Sequence, residues 1–255
     1  MSFSQILKSK DRMPEAKGQT PKTEDRSPRS KLEFSPHDQK LEFILRTAAR
    51  IFAAKGYHST SMRDISRATG VSLSGLYHYC RSKEEFLFLI QDNCFGHVLE
   101  RVQQRLSEEN DPVQRLRIFI DNHLAFFVAN MAEMKVLSHE AESLAGDLQN
   151  HVFSKKQKYT KLATKILGEL QKQHSQERCV DLTVATFGLF GMMNWIYNWY
   201  DPRGKLKVTD LVENVTRLFL HGFVAGVPSL ESNFTATSMT ESLSVWRASH
   251  PQDRS

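Results

Sequence analysis

The sequence predicts an all-α protein, and three observations carry that prediction. Apolar residues recur at helical spacing over most of residues 36–223, and no strand-like alternation of useful length interrupts them. The breaks between these stripes carry helix punctuation: Ser or Asp before a run, Pro at its first position, Gly after its last. The stretch Thr60 to Lys83, TSMRDISRATGVSLSGLYHYCRSK, then sets two short helices around one tight turn. About nine helices follow from the stripes, with no internal repeat.

Residues 1–35 are rich in Lys, Ser, Pro, Glu and Gln and poor in apolar residues, which predicts a disordered basic tail. Such a tail is either inert or an arm that adds phosphate or minor-groove contact. The first helix begins at Ser35-Pro36, because proline suits a first turn. Leu41, Ile44, Leu45, Ala48, Ile51 and Phe52 form its apolar face, with Lys40, Arg46, Arg50 and Lys55 off it. Gly56 ends it. Ser61 with Asp64 three residues later is a capping box, and Met62, Ile65 and Ala68 keep helical spacing after it. Gly70 is the residue in Thr69-Gly70-Val71 best able to take the left-handed turn conformation. Ser72 caps a second short helix. Two helices with a Gly-containing turn form the helix-turn-helix pattern, whose second helix lies in the DNA major groove.

Ser82-Lys83-Glu84-Glu85 is another capping box, opening a helix of about 25 residues. Phe86, Ile90, Cys94, Val98, Val102 and Leu106 form its stripe. Asp111 caps the next helix, with Pro112 at its first position. Residues 113–131 are apolar around Leu116, Phe119, Ile120, Leu124, Phe127 and Val128. Residues 133–172 are more polar and predict two helices, broken near Ser143 to Gly146. Residues 182–200 are uncharged throughout, and on length alone that is a membrane-span candidate. Its Thr183, Thr186, Asn194 and Asn198 and the lack of a flanking basic cluster favour a helix buried on nearly all sides. Asp201-Pro202-Arg203-Gly204 is a stop. Thr209 starts a last helix with Leu211, Val212, Val215, Leu218, Phe219 and Phe223. From residue 227 the chain turns Ser/Thr-rich and predicts a second disordered tail, in which Leu243, Val245 and Trp246 have the chemistry to dock.

The order of these residues resembles the DNA-binding head of the tetracycline-repressor (TetR) family of bacterial transcription regulators. Phe52-Ala53-Ala54-Lys55-Gly56-Tyr57, Thr60, Ile65, Gly70-Val71, Ser72 through Tyr79 and Ser82-Lys83-Glu84 carry the resemblance. Cys80 is one departure, with no harm to DNA binding in view. The resemblance implies a three-helix head (36–82) joined by the long helix to a ligand-binding and dimerisation body (83–226), between tails 1–35 and 227–255. It implies a homodimer through the last two helices, which together make a four-helix bundle. It also implies DNA contacts at the matching positions: Thr60, Ser61, Arg63, Ser72, Leu73, Ser74, Gly75, Tyr77, His78 and Lys83. The chemistry agrees. Tyr77, His78 and Lys83 can donate to phosphates, Leu73 can meet a thymine methyl, and Arg63 can take a guanine in bidentate fashion.

Charge points the same way. The net charge is +5. Residues 37–83 hold eight Lys/Arg against three Asp/Glu, whereas residues 84–255 hold 18 against 21. A positive field confined to the head and its tail favours an anionic polymer as partner. Three cysteines (Cys80, Cys94 and Cys179) make no disulfide framework, which suits a reducing cytoplasm, and residues 1–35 show no secretory signal.

Trp195, Trp199 and Arg203 are spaced by four, and this stretch resembles that of fatty-acid- or acyl-CoA-responsive branches of the family. An aromatic pair beside a guanidinium can hold an adenine ring and a phosphate; equally, such residues serve as core aromatics and a turn arginine. Phe126, Phe127, Met131 and Met134 would line the apolar part of such a pocket, or plain core. His139 and Glu142 lack a second ligand pair for a metal, and no nucleophile elbow, P-loop or dinucleotide fingerprint occurs. The expectation is a cytoplasmic, non-enzymatic, homodimeric regulator without cofactor, metal or membrane span. It would bind a near-palindromic operator as a repressor and leave it on binding an acyl-CoA or fatty acid. The alternative is a regulator-like protein that acts through a protein partner and binds DNA weakly.

Overall fold

A computed structural model describes residues 35–140, 142–174 and 180–223. Both predicted tails, and Cys179, lie outside the described residues. Nine α-helices run in order among the described residues: α1 (Pro36–Lys55), α2 (Met62–Thr69), α3 (Leu73–Tyr79), α4 (Lys83–Leu106), α5 (Pro112–Ala129), α6 (Met131–His139), α7 (Gly146–His174), α8 (Leu182–Asn194) and α9 (Val208–Phe223). A short 3-10 turn, Trp195–Asn198, follows α8. None of the described residues forms a strand.

The sequence punctuation sets the helix ends. The hydroxyls of Ser35, Ser61, Ser72 and Ser82 each accept the backbone N–H three residues on. That satisfies one of the donors a helix start leaves orphaned. Asp111 does the same for α5. At α2 the box is reciprocal, with the Asp64 carboxylate accepting the Ser61 N–H at 2.8 Å. At α4 it is not: the Glu85 carboxylate accepts the N–H of Arg81 instead of Ser82, so that box closes one residue early. Gly70 ends α2 in the left-handed conformation (φ 67°), which costs a residue with a Cβ more than it costs glycine.

α1, α2 and α3 enclose a small core of Leu41, Ile44, Leu45, Ala48, Phe52, Ile65 and Leu76. In the body, α4 packs on α5 and α7, α5 on α7 and α9, and α7 on α8. Phe119, Ile120, Leu124, Phe127, Ile166 and Leu167 are fully buried there, each worth roughly 1.5–3 kcal/mol of apolar burial. Head and body meet where α1 packs on α6.

The apolar run 182–200 departs from expectation. It is not one helix: α8 stops at Asn194 and the chain tightens into the 3-10 turn. Pro202 disfavours a helical Asp201, and Asp201 instead accepts the N–H groups of Arg203 and Gly204 in a tight turn. Nor is α8 buried all round. Val184, Phe187 and Met192 are exposed, opposite buried Ala185, Leu189 and Met193. No helix among the described residues is long and apolar enough to cross a membrane.

Candidate nucleic-acid interface and effector site

The head positions the ten expected DNA residues unequally. Arg63, Ser72, Ser74, Tyr77 and His78 are exposed, on or just before α2 and α3, whose inner faces are held by Ile65 and Leu76. Ser61 is exposed, but its hydroxyl is engaged with Asp64. The hydrogen bonds from Ser61, before the contribution of Lys55, hold the Asp64 carboxyl well below the usual range, so the α2 cap stays anionic. Ser72 and Ser74 share a hydroxyl contact at 3.1 Å, and Leu73 is half-buried.

Three of the ten have other employment. Thr60 is buried, and its hydroxyl donates to the Gly56 carbonyl at 2.8 Å, which fixes the turn before α2. Gly75 packs rather than reaches: a Cβ there would lie 2.9 Å from Val71 Cγ1, so only glycine lets α3 sit this close to the turn. Lys83 donates to the Tyr57 carbonyl at 2.9 Å and lies 4.3 Å over the Tyr57 ring. Its ammonium ties the start of α4 to the loop before α2. His37 stacks on Tyr79 at 4.8 Å, which fastens the beginning of α1 to the end of α3.

The five expected ligand residues are not brought together. Phe127 is fully buried and stacks on Tyr197, and Met131 is half-buried. Trp195 (61% exposed) and Trp199 (54%) face outward. The 3-10 turn removes the four-residue spacing on which a shared helical face depends. Arg203 lies in the exposed turn beyond, its guanidinium on Asp201 at 3.2 Å.

The body instead contains a polar centre that periodicity alone passes over. His123 of α5 is buried, with Nδ1 3.2 Å from the Tyr159 hydroxyl of α7 and Nε2 3.1 Å from Asn194 Oδ1 at the end of α8. An amide oxygen only accepts, so Nε2 carries the proton and Nδ1 accepts from Tyr159. Burial pulls the imidazole down to about 4, so the ring is neutral at physiological pH; burial pushes the Tyr159 phenol up. The rings of Phe119, Phe127 and Phe190 pack against this centre, and Tyr197 stacks on Phe127 behind them. Next to His123, Asn122 donates to the Val98 carbonyl at 3.0 Å. The signal was in the sequence: His123 stands midway between Phe119 and Phe127 at four-residue spacing, a polar residue on an apolar stripe.

Residues 44–90 match the family described as bacterial regulatory proteins, tetR family, and residues 109–223 match the tetracyclin repressor-like C-terminal domain. A solved TetR-family transcriptional regulator from Bordetella parapertussis is 30% identical, over 73% of this chain and 97% of that one, with a TM-score of 0.67. The structure of AibR in complex with isovaleryl coenzyme A and operator DNA is 28% identical, over 74% of this chain and all of that one, with a TM-score of 0.63. The uncharacterized HTH-type transcriptional regulator YxaF of Bacillus subtilis is 35% identical over 80 residues, which are 31% of this chain and 42% of YxaF. The matches run through head and body alike, and the chain belongs to the tetR family of bacterial regulatory proteins, as a DNA-binding transcription regulator.

Proposed function

We propose that the chain is a cytoplasmic, homodimeric repressor that binds a near-palindromic operator and leaves it when an acyl-CoA or a related amphipathic acid enters the helical body. Residues 36–82 are the DNA-binding head and residues 83–226 the effector and dimerisation body. The observation that carries the reading is the split surface: an exposed polar and basic set on α2 and α3, and an exposed apolar strip on the last two helices. Val184, Phe187, Met192 and Trp195 on and just after α8, with Leu218 on α9, are large apolar side chains left open to solvent. A second copy covering that strip fixes two α3 helices about one DNA turn apart.

In the head, Arg63 reads a base edge, while Tyr77, His78 and the amides at the start of α2 hold phosphates. The effector part is supported by AibR, whose complex holds isovaleryl coenzyme A. Trp195, Trp199 and Arg203 offer the outer surface for a partly wet head group, and Phe127 and Met131 the apolar interior. The effector must bind the released state more tightly, since equal affinity for both states shifts nothing. The chain acts by binding, with no turnover.

The test is fluorescence anisotropy with an operator recovered by selection from genomic fragments, titrated with long-chain acyl-CoA. Saturable binding followed by release on adding acyl-CoA is expected. An operator complex indifferent to every chain length would overturn the acyl effector, and failure to select any DNA would overturn the regulator.

A further inference from the structure

The polar centre in the body leaves one acceptor without a donor. His123 Nε2–H serves Asn194, and one of the two Asn122 amide hydrogens serves the Val98 carbonyl. Two acceptors then remain, His123 Nδ1 and Asn122 Oδ1, and the Tyr159 hydroxyl, with a single hydrogen to give, lies 3.2 Å from His123 Nδ1. It is turned to His123, and Asn122 Oδ1, fully buried, is left without a donor. A leucine at position 122 would avoid that desolvation cost altogether.

We propose that this centre is the specificity site for the effector, and that it reads a hydroxyl group carried on an otherwise apolar acyl chain. The inference rests on the acyl-effector reading above and adds to it the ligand's functional group. A ligand hydroxyl donates its hydrogen to Asn122 Oδ1 and completes the set. A carboxylate has no hydrogen to donate, and nothing cationic stands beside the neutral imidazole to balance its charge. A plain methylene leaves the acceptor unpaired.

The surroundings suit that class. Phe119 and Phe127 give the apolar wall on α5. Phe190, Asn194 and Tyr197, only half-buried, close the centre on its outer side, beside exposed Trp195. There α8 gives way to the 3-10 turn, whose hydrogen bonding is poorer than that of the helix.

Hydroxyl preference is the readout. The full chain on its operator is titrated with lauroyl-CoA and with lauroyl-CoA esters hydroxylated near the thioester, in mid-chain and at the terminus. One hydroxylated ester is expected to bind at least about tenfold more tightly than the parent, as filling an unpaired buried acceptor predicts. Asn122→Leu should bring that ratio near unity. Asn122→Ala should do the same with a smaller side chain, which keeps the test valid if the leucine variant fails to fold. Parent and hydroxylated esters that bind and release DNA alike would overturn the hydroxyl reading while leaving the acyl effector standing, with a buried water as the donor. A preference that survives in both variants would also overturn it. No binding by any ester would remove the acyl effector, and this inference with it.

Discussion

The backbone N–H of Tyr57, in the loop before α2, donates to the Glu140 carboxylate just past the end of α6, at 3.4 Å. The other Glu140 oxygen accepts from the Ser143 hydroxyl at 2.7 Å, and Gln91 of α4 donates to the Glu140 carbonyl at 2.9 Å. His139, one residue earlier, meets the Tyr197 ring edge-on at 5.4 Å. A short run of contacts therefore joins the 3-10 turn to the DNA-binding head.

Glu140→Ala should loosen that join without disturbing either end. The expected outcome is exchange of the Tyr57 amide hydrogen about fivefold faster, corresponding to about 1 kcal/mol for one hydrogen bond. The effector should still bind, but shift DNA affinity less. Hydrogen exchange read by mass spectrometry, with anisotropy alongside, checks both. Unchanged exchange in the loop before α2 would show that Glu140 holds nothing there.

On DNA, Tyr77→Ala should weaken all sequences alike. Arg63→Ala should cost about 1–3 kcal/mol and relax one base position. Lys83→Ala should differ from both: because its ammonium is bound to Tyr57, the variant should also melt at a lower temperature. Anisotropy against an operator library, with a melting curve for each variant, separates the three.

Neighbouring residues of α9 separate assembly from folding. Leu218 is 67% exposed and Phe219 only 9%. Leu218→Glu should give a folded monomer, because the charge stays in water until a partner tries to cover it. Phe219→Glu should unfold the chain, because it buries an unpaired charge within it. Sedimentation and circular dichroism of the two variants check this; a dimeric Leu218→Glu protein would remove α9 from the interface.

Acid should expose His123. Its folded value of about 4 lies below the ordinary 6.5. Between those values the unfolded chain takes up a proton that the folded chain refuses. Stability is therefore unaffected above pH ~6.5 and falls as the pH drops toward ~4, by about 3 kcal/mol in total. Asp64, Asp181 and Asp201, all held low, lose their contribution only below the ordinary carboxylate value and leave this window to histidine. Urea midpoints at neutral and mildly acid pH should differ less in His123→Phe than in the native chain. Equal slopes in the two proteins would mean the ring is protonated in the fold.

Most helix boundaries were legible because they depend on local chemistry. Ser35, Ser61, Ser72, Asp111 and Gly70 act on groups within four residues of themselves, and spacing shows them. The side chains with long-range partners were not. Lys83 has the chemistry of a phosphate ligand, and only the fold brings Tyr57, 26 positions earlier, beneath it. Glu140 likewise reads as a surface carboxylate until the fold brings the Tyr57 amide, 83 positions earlier, against it. The shared helical face expected for Trp195, Trp199 and Arg203 is absent for a related reason: a repeat of four implies a shared face only while the helix lasts, and α8 ends at Asn194. His123 was visible as an irregularity in an apolar stripe, but its partners sit on two other helices.

The outward tryptophans have an optical consequence. The chain has three tryptophans; of the two in the described residues, Trp195 opens the 3-10 turn and Trp199 follows it. Indole emission moves toward the blue when water leaves the ring, so the protein carries its own dye at the corner where α8 ends. Dilution through the dimer's dissociation should redden Trp195, and a ligand settling against Trp199 should quench or shift the second component. Two single Trp→Phe variants would turn one unlabelled sample into separate gauges of assembly and occupancy, read in the same cuvette.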